Sequence, residues 1–194
     1  MKKFLIPIVV IALLGIWIMN SYNGLVGKEE NVSESWAKVE SAYQRRTDLY
    51  SNIVKTVQAS ADFERKTLNE VIEARSRATS IEINVDDLTP ENIAKFQNAQ
   101  SQFSGRFSRL LATFERYPDL KTTGAFKEFM AQQEGTENRI NVARDRFNES
   151  AKLFNVTVRK FPATLIASTF GFEKKAYFEA EEGSEKAPDV NFEF

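Results

Sequence analysis

Apolar and polar positions along the chain fall into distinct patterns. Phe4 to Met19 runs without a charge, Lys2 and Lys3 precede it, and apolar character resumes at Leu25 and Val26. Phe4 to Val26 taken as one helix is ~35 Å long at 1.5 Å per residue, enough to cross a ~30 Å hydrocarbon layer. Trp17 and Tyr22 stand where interfacial aromatics are expected, and Pro7 falls in the first turns. A cleaved signal peptide is the competing reading, but no small-x-small pattern follows the run. The pattern predicts an uncleaved anchor over residues 4–26. The lysines before it and the Lys28, Glu29, Glu30 group after it predict an amino terminus in the cytoplasm, with the rest of the chain outside.

From Val32 the apolar steps alternate between four and three: Val32, Trp36, Val39, Tyr43, Arg46, Tyr50, Ile53, Val57. That is one stripe of a helix. It extends through Ala61, Glu64, Leu68, Val71, Arg75 and Ala78, but Ala59-Ser60-Ala61-Asp62 is small and polar and predicts a break, capped at Ser60 or Asp62. One unbroken helix from about Asn31 to Thr79 is the alternative. Ser80 to Leu88 reads as a loop. Thr89-Pro90-Glu91 is a helix start, with a hydroxyl cap, Pro in the first turn and an acid at the positive end of the dipole. The stripe that follows is Ile93, Phe96, Gln100, Phe103, Phe107, Leu110, Phe114, Tyr117, and Pro118 ends it. The last long stripe is Phe126, Met130, Gln133, Glu137, Ile140, Arg144, Phe147, Ala151, Phe154, Val158, Phe161, closed by Pro162.

These elements predict an all-α protein: an N-terminal transmembrane helix followed by an antiparallel up-and-down four-helix bundle, or by three long helices if the first is unbroken. The expected boundaries are 1–27 for the anchor, 28–172 for the bundle and 173–194 for an acidic, partly disordered tail. In the four-helix case the apolar segment Phe161 to Phe172 caps the bundle at its membrane-proximal end. Composition narrows the function classes. With 26 Lys and Arg against 27 Asp and Glu, the net charge of -1 gives no basic excess for nucleic acid. The chain has neither Cys nor His, so thiol nucleophiles, imidazole bases, zinc sites and disulfides are absent, and no cofactor or metal is expected.

The residues resemble the LemA family. The resemblance runs from Tyr22-Asn23 through Trp36-Ala37-x-Val39-Glu40, Gln44-Arg45-Arg46-x-Asp48-Leu49, Asn52-Ile53-Val54 and Tyr117-Pro118-Asp119-Leu120-Lys121. It continues through Thr136-Glu137-Asn138-Arg139-Ile140, Ala143-Arg144 and Phe147-Asn148 to Phe170-Gly171-Phe172. It implies a single-pass protein of the bacterial envelope, placed here in the cytoplasmic membrane by its anchor, with a four-helix up-and-down bundle and no established molecular activity. Relatives occur in magnetosome formation, and family genes often neighbour membrane zinc proteases. The partner it implies is therefore an envelope or membrane protein, with a membrane protease system among the candidates. Ser51 stands where relatives often carry Pro, so the first helix should run straighter here.

Polar groups on the apolar stripes are the candidate chemistry: Arg46, Arg75, Gln133, Glu137 and Arg144. A lone buried charge is very costly, so these groups are expected to meet one another. Arg46 and Glu137, each central in its helix, form the natural pair, with Asp48, Asn52, Asn138 and Arg139 near enough in sequence to complete a network. Such a layer fixes bundle register. The functional alternative is an anion-binding or catalytic site. No nucleophile–base pair is evident. Asp119 and the Phe170, Gly171, Phe172 triplet join the interaction candidates through the resemblance.

Overall fold

The computed structural model describes residues 2–58, 65–117 and 123–179. All regular elements among them are helical. Helix α1 spans Lys2–Gln58, α2 Arg65–Thr79, α3 Pro90–Thr113, α4 Gly124–Arg159 and α5 Ala163–Phe170, with single 3-10 turns at Val85–Asp87 and Phe114–Arg116. The expected break at 59–62 lies outside the described residues. The Thr89 hydroxyl accepts the Asn92 N–H at 3.2 Å and Thr123 accepts that of Phe126 at 3.3 Å, so the two long later helices open on side-chain caps. Gly171, at φ 79°, closes α5 in the left-handed region.

Cross-helix contacts give the topology. Ser35 Oγ meets Ser150 Oγ at 2.8 Å, and Tyr50 Oη donates to Glu137 Oε1 at 3.2 Å, so α1 and α4 run antiparallel. Glu70 pairs with Arg106 at 2.7 Å and Gln100 Nε2 donates to the Ala78 carbonyl at 3.3 Å, so α2 and α3 do too. The four helices pass up, down, up and down, and α4 ends with Val158 in the same cluster as Leu25. Helix α2 covers only the upper half.

Helix α1 has two parts of different character. Ile6, Ile8, Ile11, Leu13, Leu14 and Ile18 are exposed around its lower part, the one segment of the described residues long and apolar enough to cross a membrane. Above Leu25 the stripe turns inward, and every one of Val32, Trp36, Val39, Tyr43, Arg46, Tyr50, Ile53 and Val57 is buried. No Pro interrupts α1 at Ser51, whose hydroxyl donates to the Thr47 carbonyl. The α3 stripe is likewise buried from Ile93 to Phe114.

The α4 stripe departs from the expected one. Phe129, Thr136 and Ala143 face the core, while Met130, Glu137 and Arg144 lie one position to the side. Steps of three and four fit either set, and the large Phe129 side chain settles it by packing against Tyr50 and Phe107. Arg75 is corrected in the same way: Ala74 takes the core position and Arg75 is exposed. Lys28, Glu29 and Glu30 continue α1 as helical residues.

Candidate functional site

Among the described residues the core has two apolar clusters. The lower one includes Trp36, Tyr43, Phe96, Ile140 and Phe147, and the upper one Tyr50, Phe103, Phe107 and Phe129. Arg46 and Gln100 are buried between them. Arg46 donates through Nη2 to Gln100 Oε1 at 2.9 Å and to the Gln100 carbonyl at 3.3 Å, and its guanidinium lies 4.8 Å from the Tyr43 ring centre. Its Nη1 is 3.6 Å from Glu137 Oε1, and its buried Nε has no hydrogen-bond partner. Arg46 and Glu137 therefore come together, but unequally. The Arg46 side chain is 6% exposed and that of Glu137 39%. A solvated carboxylate contributes little, so Gln100 is the main partner of the guanidinium. Gln133 Oε1 is buried nearby in sequence without a partner.

A polar cavity of about 690 Å³ lies beside this layer, lined among others by Arg46, Gln100, Ser101, Ser104, Glu137 and Arg144. Burial pushes the Tyr50 phenol up to about 12, and the Glu137 carboxylate adds to the shift. A phenol raised from its unfolded value of ~10 contributes stability that is complete below pH ~10 and is lost as pH rises toward 12. In a spectroscopic titration of the folded protein, we expect Tyr50→Phe to remove a tyrosinate step near pH 12. A Tyr50→Phe protein that keeps this step would contradict the assignment.

Asp48, Asn52, Asn138 and Arg139 do not join the layer. All four are exposed, and Asp48 accepts a bond from Gln44 at 2.9 Å on its own helix. Asp48, Asn138 and Arg139 instead line an open groove of about 770 Å³ between α1 and α4. Ala37, Ser41, Ala42 and Ala143 are among its lining residues. Small side chains keep such a floor shallow enough for another helix. Lys38, Arg45, Arg139 and Arg146 against Glu34 and Asp48 leave the lining at net +2, four cations less two acids. Asp119 lies outside the described residues. Among the described residues no group of three or more Asp or Glu could hold a metal ion.

Comparison with known proteins places this architecture. The model of the LemA family matches residues 35–192, from the first buried turns of the bundle through its C-terminal segment. The chain belongs to the LemA family. It is 26% identical over 178 residues to the magnetosome protein MamQ of Magnetospirillum gryphiswaldense, covering 83% of this chain and 65% of that relative, so it spans just under two thirds of MamQ. It is 25% identical to magnetosome protein MamQ 2 of Paramagnetospirillum magneticum, covering 88% and 68%, and 23% identical to Protein LemA of Metamycoplasma hominis, covering 93% and 80%. Family membership and the apolar part of α1 together support a membrane-associated helical protein.

This LemA family member carries one feature that the periodicity of its helices does not show. After Gly171 the chain turns back and runs extended along the bundle from Glu173 to Glu179, seven residues past the expected boundary at Phe172. Asn155 exchanges two hydrogen bonds with the backbone of Lys175, at 2.7 and 2.9 Å, and Asn148 two with Phe178, at 3.1 and 2.9 Å. The spacing explains the fit. Seven residues of helix rise ~10.5 Å, and three residues of extended chain ~10 Å. Lys175 is buried, pairs with Glu29 at 2.8 Å and lies 5.6 Å from the Phe154 ring centre. Phe178 is buried among Trp36, Phe96 and Phe147. Gln97 and Arg144 both donate to the Glu179 carbonyl, at 3.1 and 2.8 Å, so this strap bridges α3 and α4 where α2 does not reach.

Proposed function

We propose that the protein is a single-pass, signal-anchored docking module of the bacterial cytoplasmic membrane, with its bundle outside the cytoplasm and no catalytic role. The groove between α1 and α4 carries the reading. It combines small lining residues, a net positive rim and the exposed side chains of Asp48, on the helix that also forms the apolar span, and of Asn138 and Arg139 on α4. The partner that fits is a helix of another envelope or membrane protein with small or apolar residues on one face and acids beside it, and a membrane protease system could supply one. Docking of this kind uses charge for orientation and close helix approach for affinity.

An anion-binding or catalytic use of the Arg46 layer is the second reading, and the polar cavity beside Glu137 favours it. Against it, Nη2 of Arg46 is already bonded to Gln100 and Nη1 faces Glu137. Photo-crosslinking in cells tests the first reading. A photoreactive residue at Ser41 in the groove should give a discrete adduct that weakens with Arg45→Glu and Arg139→Glu together. A residue at exposed Ser108 on α3 should not give it. Equal capture at both positions, or none at Ser41, contradicts the docking reading.

A further inference from the structure

We propose that α5 is an interfacial helix, lying in the headgroup layer of the same bilayer that α1 crosses, with Phe161, Leu165 and Phe170 immersed toward the acyl chains. This rests on the reading of the lower α1 as a membrane span. The first observation is chemical. From Phe161 to Phe172 the chain has no charged residue, whereas Arg159 and Lys160 come just before it and Glu173 and Lys174 just after. Helix α5 is apolar on both sides. Ile166 and Ala167 are buried against the bundle, yet Leu165 and Phe170 are each 53% exposed and Phe161 is 81% exposed. A helix apolar all round belongs in protein core or in lipid.

Two of its three hydroxyls agree. Ser168 donates to the Leu165 carbonyl at 3.1 Å and Thr169 to the same carbonyl at 2.7 Å, so both side chains are satisfied without water. The second observation is position. The Tyr22 ring, at the upper end of the apolar span, meets Phe170 at 4.9 Å and Phe172 at 5.6 Å. Trp17, one turn and more below, packs against the same cluster that holds Leu25, Ile166 and Ala167. The exposed apolar surface of α5 is thus continuous with the span and stands at its outer boundary, the depth at which aromatic side chains settle. The cations Arg159 and Lys160 end α4 at this level, where lipid phosphates are.

Helix α5 then gives the bundle a second attachment to the bilayer. One helix crossing a membrane leaves a domain free to swing about it, and two attachments fix how the α1–α4 groove is presented.

The chain has no Cys, so single cysteines can be placed and labelled without background. The full chain with a fluorophore at Leu165→Cys would be reconstituted in vesicles of phosphatidylethanolamine and phosphatidylglycerol containing a headgroup spin-labelled lipid. Companion labels would sit at Leu13→Cys in the span and Ser108→Cys on the bundle. The expected result is quenching at Leu165 several times that at Ser108, while Leu13 is quenched by a spin label deep in the acyl chains. Quenching at Leu165 no greater than at Ser108, with Leu13 still quenched, overturns the inference and leaves the anchor intact. Loss of quenching at Leu13 as well overturns both.

Discussion

Phe178→Ala should cost about 3–5 kcal/mol in unfolding free energy, the usual range for deleting a buried phenyl ring. The ring is 5% exposed and closes an aromatic cluster, stacked at 5.9 Å on Trp36 and edge-on to Phe147 at 5.4 Å. Its removal also frees a segment whose backbone is held by Asn148 and Asn155. Replacing either Asn by Leu leaves one N–H and one carbonyl of the strap unpaired and should cost about 1–3 kcal/mol. Phe161→Ala, at an exposed site, should change stability by less than about 0.5 kcal/mol in detergent. Chemical unfolding of the full chain, followed by Trp fluorescence, measures all four variants. A strap that merely rests on the bundle would make Phe178→Ala as mild as Phe161→Ala.

Arg46→Met should cost about 3 kcal/mol, because it removes the donor that pairs the buried acceptors of Gln100. Glu137→Leu should cost less, about 1 kcal/mol or below, because its carboxylate is partly solvated and screened. The coupling in double-mutant cycles should follow the geometry, larger for Arg46→Met with Gln100→Leu than for Arg46→Met with Glu137→Leu. Additivity of the Arg46 and Gln100 substitutions would show that the layer is not a coupled unit. Its value to the fold is register. A charge fixed between two Phe-rich clusters disfavours sliding α1 by a turn against α3.

Much of the fold is legible in the stripes of α1 and α3. There, large apolar residues occupy every position of a three-four repeat except Arg46 and Gln100, so no second register competes. In α4 it is less so. Between Phe126 and Ile140 the sequence offers Phe129 beside Met130 and Thr136 beside Glu137, and two stripes fit one helix. Burial of Phe129 chooses between them and moves Glu137 to the rim, which turns an expected symmetric ion pair into an arginine held mainly by Gln100. The same exposure explains why Asp48, Asn138 and Arg139 line a groove instead of the core.

The strap was illegible for a different reason. Seven extended residues among acids have no periodicity, and the signal lies on the partner helix, in two asparagines two turns apart on the core side of α4. Asn155 is buried and Asn148 half-buried. An amide pair at that spacing, followed by a Lys and a Phe three residues apart, is a pattern that sequence reading could seek.

Both proposals require α1 to be one rod that leaves the cytoplasm through the bilayer and becomes the core of a bundle outside it. Protease added to intact spheroplasts measures this directly. The expected result is digestion of the bundle without lysis, leaving a short fragment that contains the apolar segment. Protection of the whole bundle in intact spheroplasts, with digestion only after lysis, would contradict it.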